Sequence, residues 1–168
     1  MAAGLSAQIT QTELTKATPS DSKPNSDKVP DVYAIPGQFK RVLVFRFKYD
    51  TDLLGGIEKM VKQNNIKNAV ILAGIGSVRN YHIHSVSNRT LPSKNIFTKD
   101  PTAPADIAGM NGYIINGTIH CHMTMTNGEH AFGGHLEPGT TVFTFGIVTV
   151  GVLSDDMDFT YLDDKSYR

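Results

Sequence analysis

The chain has a single cysteine, so it can form no internal disulfide, and that count by itself fixes no compartment. Its 168 residues carry sixteen basic and sixteen acidic side chains, leaving no net charge. A protein that holds nucleic acid by neutralising phosphates shows a basic excess or a basic stripe. Neither is present, and nucleic acid is not expected as a partner. No run of about 18 apolar residues occurs, so neither a transmembrane helix nor a membrane partner is expected. No internal repeat is visible. Gly74-Ile75-Gly76 lacks the third glycine and following helix of a dinucleotide fingerprint, and reads as a strand corner. Met1 to Gln8 lacks the basic start and long apolar stretch of an intact signal peptide, while Leu5-Ser6-Ala7-Gln8 resembles the end of one. Cytoplasmic and exported locations both remain open on this reading.

What is present divides unevenly. From Thr15 to Lys28 almost nothing is fit for burial, and that composition predicts a flexible tail over residues 1–31. Residues 32–168 are long enough for one domain with a full core. Arg41 to Tyr49 is rich in strand formers, with Leu43, Phe45 and Phe47 on one face. Asp50-Thr51-Asp52 supplies an N-cap, after which Leu53, Leu54, Ile57, Met60 and Val61 recur at helical spacing as far as Asn64-Asn65. Gly55-Gly56 inside that stretch marks either close packing on a sheet or a later helix start. Ala69 to Gly74 and Val78 to Val86 read as strands, Ser93 to Ala105 as turn-rich, and Thr140 to Leu153 as strand throughout. One clear helix among many strands predicts an α+β domain on a mainly antiparallel sheet. Asn88-Arg89-Thr90 and Asn116-Gly117-Thr118 match a glycosylation sequon that often arises by chance.

The chemistry concentrates between Thr118 and Leu136. Asn127-Gly128 is a strong signal for a two-residue hairpin turn of type I′. That turn pairs Thr126 with Glu129, sets His120 across from His135 and leaves His122 facing Gly133. Side chains alternate along a strand, so His120, His122, Gly133 and His135 share one face. Directly opposed residues have Cβ atoms roughly 4.5–5.5 Å apart, which lets three imidazoles converge on one point. Gly133 leaves room beside His122. Cys121, Met123, Met125 and His130 fall on the other face, and parity excludes the cysteine as a ligand. A bulge at Gly133-Gly134 would spoil this register. The plainer reading is a solvated polar face with turn glycines. His82 and His84 also share a strand face and form a rival pair that lacks a local third ligand. An adjacent strand could bring them near His120 and His122.

Tyr33-Ala34-Ile35, Leu43 to Phe47, the lone helix, Ala73-Gly74-Ile75-Gly76-Ser77-Val78, and His120-x-His122 with Gly133-Gly134-His135-Leu136 together resemble the PPC (plant and prokaryote conserved) domain. The likeness covers roughly Val32 to Leu153 and is closest to the prokaryotic branch. It implies a mainly antiparallel sheet flanked by helices, a homotrimer, and zinc held by His120, His122 and His135. Arg46 matches a recurring arginine whose role is unassigned; with His82, His84 and Gly133 it is a pocket candidate. Tyr49-Asp50-Thr51-Asp52 replaces the usual Gly-Glu-Asp, and Met123-Thr124-Met125-Thr126 replaces Ser-Leu-Ala-Asp. The AT-hook of plant members is missing, so DNA binding does not carry over.

Two functions from different classes follow. In one, zinc or another divalent metal keeps its fourth position open for water or a small-molecule ligand, the pattern of catalytic sites. No general base is identifiable: Glu129 sits at the turn, and Glu137 is placed on the face opposite His135. In the other, the metal only stiffens a trimeric interaction module.

Overall fold

The computed structural model describes residues 9–14, 29–91, 93–159 and 162. Of the tail expected over 1–31, residues 1–8, with the signal-like ending at 5–8, and 15–28 lie outside the described residues. Eight strands and one helix follow in the order β1 (Thr10–Leu14), β2 (Phe39–Lys48), α1 (Leu53–Gln63), β3 (Ala69–Val86), β4 (Asn95–Asp100), β5 (Ala105–Ile115), β6 (Thr118–Thr126), β7 (Ala131–Leu136) and β8 (Thr141–Leu153). Every pairing between strands is antiparallel. β1 falls within the stretch expected as tail and pairs with β4. β4 itself lies where turns are expected. Its Ile96, Phe97 and Thr98 are strand formers, and the ladder from β3 satisfies their backbone.

β3 organises the sheet. Its first half runs between β5 and β8, and its second half between β7 and β4. The break expected at Gly74-Ile75-Gly76 is a bend inside this one strand, with register shifts against β8. A Cβ on Gly76 would lie 2.1 Å from the Phe145 carbonyl oxygen, so only glycine lets the two backbones cross there. Because β3 bends, the sequence β3-β5-β6-β7 returns to β3 through Ile83↔Leu136 and His84↔His135. The sheet thus closes into a roll, leaving β2 and β8 as a wing beside it.

α1 starts where Asp52 caps it, the carboxylate accepting from the Gly55 amide at 2.8 Å. Leu53, Ile57 and Val61 recur every four residues and are buried. They pack with Phe45 and Phe47 of β2 in a core shared with Ile71, Val148 and Val150. A Cβ on Gly56 would meet the Phe47 ring at 2.7 Å, so close packing on the sheet explains that glycine. α1 is the only helix among the described residues, fewer than the flanking helices that the resemblance implies.

The hairpin turn differs from expectation. Thr126 pairs with Ala131, and Asn127 to His130 form a four-residue loop in which only Gly128 has positive φ. The Asn127 side chain accepts from the amides of Glu129 and His130, which stabilises the longer loop. A type I′ turn does occur at Asn116-Gly117, with φ of 51° and 79°, between Ile115 and Thr118. That dipeptide reads in the sequence as part of a sequon. The β6–β7 ladder therefore sets His122 across from His135 and Gly133 across from Thr124, two residues from the expected register.

Candidate metal centre

A shift of two residues preserves parity, so the imidazoles still share a face. His120, His122 and His135 present one ring nitrogen each, all within 4.8 Å of one another. The Nε2 atoms of His120 and His122 are 3.1 Å apart. Their rings lie 27° from parallel, while His135 meets them edge-on at centroid distances of 4.6 and 5.4 Å. Tetrahedral zinc with N–metal bonds of about 2.0–2.1 Å separates its donor atoms by roughly 3.3 Å. The donor set fits such an ion.

Cys121, Met123 and Met125 alternate with these histidines and are buried in the core, as parity requires. His130 is instead an exposed loop residue. Burial pushes the Cys121 thiol up to about 12 from an ordinary 9.0. It is thus protonated and shielded at neutral pH, unlike a metal-binding thiolate. The native protein should not react with Ellman's reagent at pH 8, and unfolding should release one thiol. A raised folded-state pKa means that the Cys121 contribution to stability is complete below the unfolded value. It should be lost as pH climbs from about 9 towards 12. Prompt labelling of the native thiol would contradict the burial.

Two close backbone approaches shape the site. A Cβ on Gly133 would sit 2.1 Å from the Met123 carbonyl oxygen, and one on Gly134 would sit 2.4 Å from that of His84. The paired glycines therefore bring β7 against β6 on one side and β3 on the other, without a bulge in the β6–β7 register. This corrects the expectation that Gly133 makes room beside His122.

The return of β7 to β3 adds residues that local pairing does not supply. His84 lies directly across from His135, their rings stacked at 4.5 Å, and its Nδ1 is 2.6 Å from Glu137 Oε1. Glu137 is thus on the same side as His135, not opposite as expected. Only Leu136 separates the two, and the Glu137 amide donates to the His82 carbonyl, continuing the ladder. His84, His135 and Glu137 form a second group of donor atoms within 4.8 Å. Burial, and then the charge of nearby His84, hold His122 below the usual imidazole range. Its surface edge is exposed, but the ring stands among other rings, and the neutral form that binds metals is favoured.

The remaining candidates separate. His82 is on the same strand face as His84, but its Nδ1 contacts the Pro138 carbonyl oxygen at 2.9 Å and it enters neither donor group. Arg46 is exposed on β2, which pairs only with β8, and takes no part in the histidine contacts. Asn111 and Tyr113 oppose His122 and His120 across β5–β6, neighbours that the sequence does not single out. No helix among the described residues is long and apolar enough to cross a membrane.

The described residues form an antiparallel roll with one short helix and a histidine cluster on β6 and β7. Residues 34–154 match the model of the Plants and Prokaryotes Conserved domain, and the chain belongs to that family. Among solved structures it is similar to a metal-containing protein from Archaeoglobus fulgidus, with TM-score 0.64 and 23% identity, covering 73% of this chain and 86% of that one. It is also similar to a plant- and prokaryote-conserved protein from Pyrococcus horikoshii, with TM-score 0.60 and 25% identity, covering 74% and 87%. A proposed DNA-binding protein from Bacteroides thetaiotaomicron shares the fold at TM-score 0.55 and 18% identity, covering 69% and 83%. No curated protein matches the chain.

Proposed function

We propose that the protein binds one divalent metal ion, zinc by its donor chemistry, through His120, His122 and His135. The observation that carries this reading is the 3.1 Å approach of the His120 and His122 Nε2 atoms with the His135 ring edge-on to both. The metal-containing Archaeoglobus neighbour agrees with it. Three histidines leave one tetrahedral position for water or a small-molecule ligand. A zinc ion there supplies a Lewis acid and lowers the pKa of bound water to near 7. The chain's own contribution is to hold three imidazoles on one face of a single hairpin. Metal analysis of protein purified without chelator should find about one ion per chain, and a zinc edge spectrum should show N–metal distances of roughly 2.0–2.1 Å. Protein that takes up no ion at micromolar zinc would reject the proposal.

The same reading includes a homotrimer. Val42, Val44, Ile75 and Phe145 lie 55%, 63%, 53% and 40% exposed on the outer face of the β2-β8-β3 wing. Apolar side chains gathered on one exposed sheet face support an interaction face there. Light scattering should give three times the 18.3 kDa chain mass, and a monomer at micromolar concentration would refute it. Nucleic acid is not part of this proposal, although one structural neighbour is described as DNA-binding, because sixteen basic and sixteen acidic residues balance and the sequence holds no basic run. The biochemical alternative, a metal that serves the module only structurally, would be favoured if chelation dissociated or destabilised the protein and no turnover depended on the ion.

A further inference from the structure

We propose that His84 and Glu137 act as a positioning pair for the metal centre, Glu137 holding the ring of His84 and His84 setting the ring of His135. The inference rests on the metal reading above and extends it to two residues outside the donor trio. His84 is held on three sides. The His135 ring stacks on it at 4.5 Å and 26°, the Phe97 ring packs at 4.9 Å, and Glu137 Oε1 meets its Nδ1 at 2.6 Å. Both members of the pair are only about one-fifth exposed, at 21% and 20%. With Glu137 accepting, the proton of His84 sits on Nδ1, which fixes the plane of the ring that His135 lies against.

The three donors His84, His135 and Glu137 also have the composition of a second ion site, and the geometry decides between the readings. Two donor atoms bound to one ion at about 2.0–2.1 Å lie roughly 3 Å or more apart. The 2.6 Å contact between Nδ1 and Oε1 is a hydrogen bond instead. Outer groups that orient a ligating imidazole typically contribute 10–100-fold in metal affinity.

The test compares full-length wild type with Glu137→Gln, Glu137→Ala, His84→Ala and His84→Phe. Zn²⁺ affinity is read by chelator competition, and Co²⁺ coordination by its visible absorption. Wild type should bind one ion. Glu137→Ala and His84→Ala should still bind one ion, about 10–100-fold more weakly, with shifted Co²⁺ bands. Glu137→Gln keeps an accepting oxygen and should recover part of the loss. His84→Phe retains a stacked ring without its anchor, tolerates the seam if the smaller side chain does not, and should shift the bands in the same direction. Unchanged affinity and spectra in folded variants would overturn the pairing while leaving the metal site intact. Two ions in wild type, the second lost in these variants, would overturn it by making both residues ligands. Wild type that binds no ion would overturn both readings.

Discussion

Replacement of His122 by Ala should abolish stable metal loading while leaving the protein folded. Structural zinc binding is worth roughly 10–16 kcal/mol in small domains, so each of four positions accounts for about 3 kcal/mol, or a hundredfold and more in affinity. Two histidines then remain on an open hairpin face, too few to retain an ion through dialysis. His122 is exposed on the sheet face away from the buried Cys121 and Met123, so thermal unfolding of the metal-free protein should barely move. His130→Ala and Cys121→Ala are the controls. The first lies in the 127–130 loop and the second points into the core, so both should keep one ion per chain. Elemental analysis after dialysis checks all three. Loss of metal from His130→Ala with retention in His122→Ala would show that the register places a different set of rings together.

Ile57→Ala should produce the largest loss of stability. Ile57 is fully buried on α1, the only helix among the described residues, and packs in the core with Phe45 and Phe47. Truncating such a side chain costs about 2–5 kcal/mol. For a chain of this length that corresponds to a Tm lower by roughly 5–15 °C. α1 packs on β2 and β8, away from β6 and β7, so metal stoichiometry below the transition should not change. Calorimetry with and without added zinc measures both effects. A shift below about 2 °C would mean that the helix contributes little to the core.

The alternation of buried and exposed positions along β6 was legible in the sequence. His120, His122 and His135 fall on one face because each strand alternates, whatever the turn. The turn itself was harder to read, because Asn-Gly occurs twice and the two copies adopt different loops. At Asn116-Gly117 both residues take positive φ, while at Asn127 the side chain caps a wider loop. The resulting shift of two residues altered each cross-strand partner and no face. His84 and Glu137 were less accessible. Glu137 shares parity with His135, a signal present in the sequence, but its partner lies 53 residues away. That contact needs the bend of β3 at Gly76 and the return of β7 at Gly134, both of which are tertiary events that periodicity does not encode. The run from Thr140 to Leu153 reads as strand throughout, and β8 occupies Thr141–Leu153 between β2 and β3, with Phe143 and Phe145 exposed near its start.

The two parts of the site differ in how far apart their members lie along the chain. His120, His122 and His135 sit within a single hairpin, whereas His84 joins them only once the roll has closed. A local hairpin forms in microseconds, well before a closure that requires long-range pairing. An ion present during synthesis would therefore meet its ligands early and find the last neighbours of its shell late. Zinc should quicken the first ordered phase of refolding, with the spectrum of a bound Co²⁺ probe maturing in a second, slower phase as β7 docks on β3. Time itself would then separate the ligands from the residues that orient them.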